Sequence, residues 1–492
     1  MRIMIYINRN DNSALKEQIR QVMAQKIRSG LLLPGQQLPS VRVLANQLRV
    51  SLVTVVEAYN LLKQDGLIES CHGKGTFVTS FESTKSREEA ILNHSNWQLA
   101  IEDYLPQASF WHHNYISLPP EILDLGSASM HHSLLPLSLL STAIQKGLQE
   151  YPKSLSSYSP FSGDSQFLGI IVDYLKGQDL LLNIQQIIVT NGTQQGIDLF
   201  ARTFLGPGDV VAMETPVFSG AIDAFRLTKT IIQPIPLDRE GIRIDILEEL
   251  STYMKIKAIY TIPTYQNPTG IIMSLKRRRQ LLEFAKQNGI LILEDDPCRE
   301  LNFCEKTKLP PTIKAIDTYG LVVYLKGFSK FLFPGMRLGI LVADGTIYNR
   351  LLATKSITDL GSSLWLQKIL VDFFKQPQLK RHLQKMSRNM EERSQMVFEK
   401  LNAKLNPLIY WQRTSGGMFL WITLPPSISA DNLIPEAHSR GIHFLPGSIF
   451  YPRELGFNHL RICWTNLSDT DLPIALDILC DFLNDAVLKV NF

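Results

Sequence analysis

Cysteine is scarce in this chain and never paired in a motif. The five cysteines, Cys71, Cys298, Cys304, Cys463 and Cys480, are scattered over 492 residues without a CxxC spacing. That excludes a disulfide scaffold and a cysteine zinc site, so no metal is expected, and it fits a reducing cytoplasm. Long hydrophobic runs are missing too. None reaches the ~18 residues a bilayer span requires, and the opening MRIMIYINRNDNS has too short an apolar stretch for a secretory signal. Large net charge is likewise absent, at +4 overall. An apolar fraction of 45% with 20% charged residues nevertheless excludes a disordered chain, and the length calls for two or more domains.

The small charge is unevenly spread. Residues 1–80 hold ten Lys/Arg against five Asp/Glu, 10 − 5 = +5, which leaves −1 for the remainder. One end therefore has the character of a polyanion-binding module. Within it, SALKEQIRQVMAQKIRSG has a helical stripe of Leu15, Ile19, Val22 and Ile27, with Ser13 as cap and Gly30 as stop. Ser40 caps VRVLANQLRV, Ser51 opens LVTVVEAYNLLKQDG, and LIES and TFVTS flank a CHGKG turn. Helix, helix–turn–helix and hairpin in that order predict a winged helix, whose second helix of the pair enters the major groove of double-stranded DNA. The stretch SGLLLPGQQLPSVRVLANQLRVSLVTVVEAYNLLKQDGLIESCHGKGTFV resembles the GntR-family DNA-binding domain. The resemblance implies DNA contacts from Arg42, Thr54 and Lys74, with Arg49, Ser51 and Tyr59 as further candidates. One position departs: the family usually carries arginine directly after the serine that opens the recognition helix, and here it is Leu52. Losing a forked guanidinium should weaken or retarget base reading.

Residues 81–118 show no clear period and are expected to be a linker, partly helical over 86–104. From 119 to 492, strand-like runs (IQQIIVT, DVVAME, KAIYTIP, ILILED, LVVYLKG, LGILVAD) alternate with helical segments. This predicts an α/β fold whose ligand sits at the carboxyl ends of the strands. Those ends carry Gly192 and Thr193 in a turn into a helix, Phe218, Asn267 before a proline, Asp295 and Asp296, and Ser329 with Lys330. Lys330 supplies an amine, a carboxylate can hold a pyridine nitrogen, and Asn267 can bond a ring oxygen. Phe218 can stack, and the Gly192–Thr193 turn with Arg337 can neutralise a phosphate. Together these are the needs of pyridoxal 5′-phosphate.

Residues ~119–485 resemble a fold-type-I aminotransferase, particularly the aminoadipate and kynurenine transaminase branch. The motifs are Tyr158 with Gly163, VTNGTQQGIDL, PGDVVAMETPVF, NPTG, EDDP, GFSKFLFPGMRLG, SGGMFLW, LPGSIF and LRICW. The resemblance implies a mixed, mostly parallel sheet and a smaller C-terminal α/β subdomain at about 386–492. It implies Lys330 as the Schiff-base lysine and Asp295 on the pyridine nitrogen, with Asp296 the alternative. Asn267 is implied on O3′, Phe218 on the ring, Gly192, Thr193, Ser329 and Arg337 at the phosphate, and Arg461 on a substrate carboxylate. Tyr158 is implied to reach the neighbouring subunit's phosphate, which makes a homodimer. Two positions depart: Cys298 stands where a tyrosine is common, and Gly327 where a serine is common. Both departures should loosen cofactor geometry. A GntR module ahead of such a domain is the arrangement of MocR-type regulators. It implies a DNA-binding regulator that senses an amino compound or the cofactor through Lys330. The other expectation is a working aminotransferase acting on an α-amino acid and a 2-oxo acid.

Overall fold

The computed structural model describes residues 14–28, 32, 35–48, 50–71, 75–79, 118–303, 308–453 and 455–489. The chain forms two compact units. Among the described residues no helix is long and apolar enough to cross a membrane. The linker over 81–117 lies outside the described residues, as do Arg49, Lys74 and Cys304.

In the N-terminal unit, α1 (Leu15–Arg28), α2 (Val41–Leu48) and α3 (Leu52–Gln64) precede the antiparallel strands β1 (Ile68–Cys71) and β2 (Gly75–Val78). The apolar stripe of α1 buries Ile19, Met23 and Ile27 against Leu44 of α2 and Val55, Ala58, Tyr59 and Leu62 of α3. Ile68 and Val78, opposite one another in the hairpin, close the same core. Ser51 caps α3 by accepting a hydrogen bond from the Thr54 N–H at 3.1 Å. Gly66 ends the helix with φ +69, a left-handed conformation that favours glycine. This is the winged helix that the pattern of caps and turns predicts.

The larger unit is built on a mixed sheet. Its strands are β3 (Ile187–Thr190), β4 (Val210–Thr215), β5 (Ile231–Asp238), β6 (Gly241–Ile242), β7 (Ile256–Thr261), β8 (Leu291–Asp296), β9 (Val322–Gly327) and β10 (Gly339–Val342). They lie side by side in the order β3-β10-β9-β8-β7-β4-β5-β6. Strand β10 runs antiparallel to both of its neighbours and β6 antiparallel to β5, while the other pairs are parallel. Strands buried on both faces explain the near-continuous apolar runs IIVT and VVAM. Helix α4 (Thr193–Phe204) packs on one face through Gly196, where a Cβ would run into Leu325 of β9.

A second, antiparallel sheet follows with β11 (Tyr410–Trp411), β12 (Phe419–Thr423), β13 (Leu445–Pro446) and β14 (His459–Cys463) in the order β11-β12-β14-β13. The segment Leu123–Asp124 pairs in parallel with Ile442–His443. That pairing fastens the start of the unit to its C-terminal part and sets the position of the residues that come next.

Gly196→Val should overpack the contact between α4 and β9. Urea unfolding of the purified protein is expected to show a loss of ~1–3 kcal/mol, and an unchanged midpoint would mean the helix can lift off the sheet without cost.

Candidate functional site

Because β3, β9, β8, β7 and β4 point the same way, their carboxyl ends gather Gly192, Lys330, Asp295, Asn267 and Phe218 on one edge. Lys330 follows β9 by three residues. Its Nζ donates to the carbonyl of Ala128 at 2.6 Å. Burial holds the amine below its ordinary range, opposed by the nearby Cys298 and Cys463 and reinforced by the positive charges of Arg461 and Arg337. An amine biased toward its uncharged form is what a nucleophilic lysine needs.

Ala128 belongs to a strap, residues 124–131, that crosses the site. Leu125 donates its N–H to the His443 carbonyl, and the Cys463 N–H donates to the Leu125 carbonyl. The Gly126 carbonyl accepts from Arg461 Nη2 at 2.6 Å, and the Ser129 carbonyl accepts from the Thr465 hydroxyl at 2.6 Å. Backbone carbonyls of one strap thus occupy both the amine of Lys330 and the guanidinium of Arg461. The strap escaped sequence reasoning: Gly126 and Ala128 carry no functional side chain, and their role resides in their backbone carbonyls.

Asp295, at the end of β8, is buried, and one oxygen accepts a 2.7 Å hydrogen bond from Tyr260 of β7. Among the described residues its other oxygen, Oδ1, has no hydrogen-bond partner, and neither has Oδ1 of Asp296. Burial is the largest influence and lifts this carboxyl from 3.8 to about 7, opposed by the Tyr260 hydrogen bond, with the adjacent Asp296 pushing further up. Asp296 is held differently, accepting from the Tyr324 hydroxyl at 3.0 Å, while its backbone carbonyl takes Lys326 Nζ at 3.1 Å. Lys326 is itself fully buried and pairs with Glu300 at 2.6 Å. Tyr260 and Lys326 were missed because strand alternation marks them only as interior positions.

The Gly192 turn is shaped by close approach. Gly192 has φ +84, and a Cβ there would lie 2.7 Å from Arg337 Nη2. Glycine therefore lets the guanidinium lie across the start of α4, where Thr193 begins the helix with free N–H groups. Asn191 and Gln195 are tied to Asp359 at 3.0 and 2.8 Å, which fixes the turn from outside. A Cβ at Gly327 would lie 2.8 Å from the Thr193 methyl. The methyl of Thr193 thus fills the space that a side chain at position 327 would need. Ser329 sits half-buried beside Lys330.

Arg461, on β14, is buried between the rings of Phe419 and Phe450, at 4.4 and 5.0 Å from their centres. Its Nη1 donates to the Asn267 amide oxygen at 3.0 Å. Asn267 and Arg461 are therefore one hydrogen-bonded unit. Phe218 stands at the start of α5 (Ser219–Leu227), half-buried, its neighbour Val217 bonded through the backbone to Phe450. Cys298 is buried, and its thiol is pushed by burial up to about 12. It stays a neutral thiol beside the lysine. Tyr158 is apart from this cluster: its side chain is 86% exposed.

In the N-terminal unit, Arg42 and Ser51 are exposed and Thr54 is half-buried, with its hydroxyl 2.7 Å from that of Ser51. Tyr59 does not belong with them. It is buried in the core, and its hydroxyl donates to the Pro39 carbonyl at 2.8 Å. The spacing Val55, Ala58/Tyr59, Leu62 puts it on the inner stripe of α3.

The aminotransferase class I and II family model matches residues 120–479. The chain belongs to the class I and II aminotransferases. Residues 15–78 match the gntR family of bacterial regulatory proteins, and the two modules together give the MocR-type architecture. The uncharacterized HTH-type transcriptional regulator YdfD of Bacillus subtilis is 28% identical, over 92% of this chain and 93% of its own length. The 2-aminoadipate transaminase of Thermus thermophilus is 31% identical over 71% of this chain and 86% of its own. Among solved structures, a Pyrococcus horikoshii kynurenine aminotransferase in complex with PMP superposes with a TM-score of 0.72 at 28% identity. It covers 82% of this chain and 99% of the other. The α-aminoadipate aminotransferase LysN of Thermus thermophilus, complexed with N-(5′-phosphopyridoxyl)-L-leucine, gives 0.72 at 27% identity, covering 80% and 100%.

The raised carboxyl has a consequence for stability. The folded protein keeps the Asp295 proton to higher pH than the unfolded chain does. Stability from that proton is complete below pH ~4 and is lost as pH rises through about 7. In protein freed of any cofactor, Asp295→Asn is expected to flatten part of the fall in thermal midpoint between pH 4 and 7. Glu294, also raised to about 7 by burial, keeps the remainder. An unaltered pH profile in the variant would show that Asp295 ionises normally.

Proposed function

We propose that this chain is a cytoplasmic, homodimeric transcriptional regulator that binds double-stranded DNA through its winged helix and senses an amino compound, or pyridoxal 5′-phosphate itself, at Lys330. The observation that carries the reading is the strap 124–131. It caps Lys330 and Arg461 at once, and along the chain it is the continuation of the segment that leads from the DNA-binding module. A ligand with an amine and a carboxylate must displace both capping carbonyls to take both groups. Ligand arrival is thereby coupled to the position of the strap, because the ligand binds only the arrangement in which the strap has moved.

The residues fit the cofactor. When bound, pyridoxal 5′-phosphate supplies an aldehyde that condenses with primary amines and a ring that withdraws electrons. Lys330 supplies an amine whose proton affinity burial lowers. The unpartnered Oδ1 of Asp295 lies in a buried place that lacks one positive charge, and a protonated ring nitrogen would provide it and return the carboxyl to its ionised form. Gly192, Thr193, Ser329 and Arg337 would hold the phosphate, Asn267 the ring hydroxyl and Phe218 the ring face. Arg461 would hold the carboxylate of the amino compound, with Phe419 and Phe450 shielding the pair from water. Exposed Tyr158, with Leu155 and Phe161 exposed nearby in sequence, would be covered by a second subunit and complete the partner's phosphate site.

A second reading, an aminotransferase working between an α-amino acid and a 2-oxo acid, is favoured by the intact Lys330, Asp295, Asn267 and Arg461. The neutral Cys298 thiol beside Lys330, in place of a phenol, weighs against rapid turnover.

Footprinting on the DNA upstream of its own gene, with and without pyridoxal 5′-phosphate, should protect two spaced half-sites. Arg461→Ala should keep borohydride-fixable cofactor on Lys330 and bind DNA, yet lose the change in DNA binding caused by amino acids. Lys330→Ala should lose the fixable cofactor altogether. Turnover of an amino acid with 2-oxoglutarate at ordinary aminotransferase rates, ~1–10³ per second, combined with no DNA protection, would reverse the order of the two readings.

A further inference from the structure

Helix α3 is apolar on the side where a DNA-reading helix is ordinarily polar. Its inner stripe, Val55, Ala58, Tyr59 and Leu62, is buried in the core of the winged helix. Its outer side begins with Leu52, Val53 and Val56, which are 49%, 64% and 41% exposed. Farther along, the same outer side turns polar with exposed Glu57, which pairs with Lys16 at 3.1 Å, and exposed Asn60 and Lys63. A single exposed aliphatic residue needs no explanation, but three within the first turn and a half form a surface.

The place of this surface says what covers it. In a helix–turn–helix, the N-terminal residues of the second helix meet the edges of the base pairs. The polar groups at that end are already engaged: the Ser51 hydroxyl accepts from the Thr54 N–H at 3.1 Å and lies 2.7 Å from the Thr54 hydroxyl. Position 52, where a guanidinium would fork onto guanine, carries a leucine instead. Arg42 is exposed on α2 and Lys63 at the far end of α3, and the first eighty residues carry an excess of positive charge, 10 − 5 = +5. Cations flanking an aliphatic patch suit a surface that meets phosphates at its margins and something apolar at its centre. The apolar group on a base edge in the major groove is the C5-methyl of thymine.

We infer that Leu52, Val53 and Val56 read thymine methyl groups in the major groove, so that this regulator selects thymine-bearing steps where an arginine at position 52 would select guanine. The inference rests on the DNA-binding function proposed above. It assigns the specificity of that module to dispersion and burial of methyl surface, and leaves positioning to the phosphate contacts.

The test uses the full-length protein loaded with pyridoxal 5′-phosphate and a random duplex library, from which the enriched site is taken at a fixed salt concentration. Each thymine of a half-site is then replaced in turn by deoxyuridine, which removes only the methyl. One or more of these replacements should weaken binding about 4-fold each, the worth of one buried methyl. In Leu52→Ala the penalty at the corresponding thymine should vanish, and Leu52→Arg should shift the enriched base there toward guanine. Residue 52 is on the surface, so both variants should fold, and their circular dichroism should match that of the parent. An enriched site that tolerates deoxyuridine at every position without loss overturns the inference while leaving DNA binding intact. So does a Leu52→Ala variant that keeps the full methyl penalty but loses self-association, since the patch is then a contact between copies. Absence of any enriched or retained sequence overturns the DNA-binding function itself, and this inference with it.

Discussion

The hydrogen bond from the Lys330 amine to the Ala128 carbonyl joins positions 202 residues apart, and much of the site's logic depends on it. It holds a buried, uncharged-leaning lysine in place without a carboxylate, which would have raised the proton affinity of the amine and blunted it as a nucleophile. The same strap satisfies Arg461 through the Gly126 carbonyl. Carbonyl oxygens are weaker partners for a guanidinium than a carboxylate is. On the function proposed above, an incoming carboxylate wins this exchange and the strap gives way.

The floor of the site shows a division of labour between two adjacent carboxyls. Asp295 accepts from the Tyr260 phenol, whereas Asp296 accepts from the Tyr324 phenol and its backbone carbonyl takes Lys326, which pairs with Glu300. Each of the two carboxyls keeps one buried oxygen, Oδ1, without a hydrogen-bond partner among the described residues, and an unmatched buried polar atom is costly unless something arrives to meet it. The two side chains of the DD dipeptide are reached by different strand neighbours: Tyr260 of β7 reaches Asp295 and Tyr324 of β9 reaches Asp296.

The two departures from the family pattern have different physical outcomes. At Gly327 the space is filled, because the Thr193 methyl lies where a side chain would stand, but a methyl offers no donor in place of a hydroxyl. At Cys298 a buried thiol pushed up to about 12 offers only a weak donor beside Lys330. On the function proposed above, a site that keeps its anchoring groups but loses a tuning hydroxyl suits holding a ligand more than turning it over rapidly.

What the sequence determined by itself is whatever is local along the chain. Caps, turn glycines and the 3.6-residue stripe define the winged helix. Alternating apolar runs define the sheet, and because parallel strands end on one edge, residues just beyond them converge without further information. The periodicity of α3 even contains the placement of Tyr59, on the inner stripe with Val55, Ala58 and Leu62. What only the tertiary structure decided is the set of pairings between distant segments: Tyr260 with Asp295, Asn267 with Arg461, Thr193 against Gly327, and the strap over Lys330. Their separations run from tens to hundreds of residues, and some of the partners are backbone carbonyls, which every residue carries and no sequence pattern can mark. Folding brings such groups within hydrogen-bond reach only after the sheets have formed, so their identity is a property of the packed state.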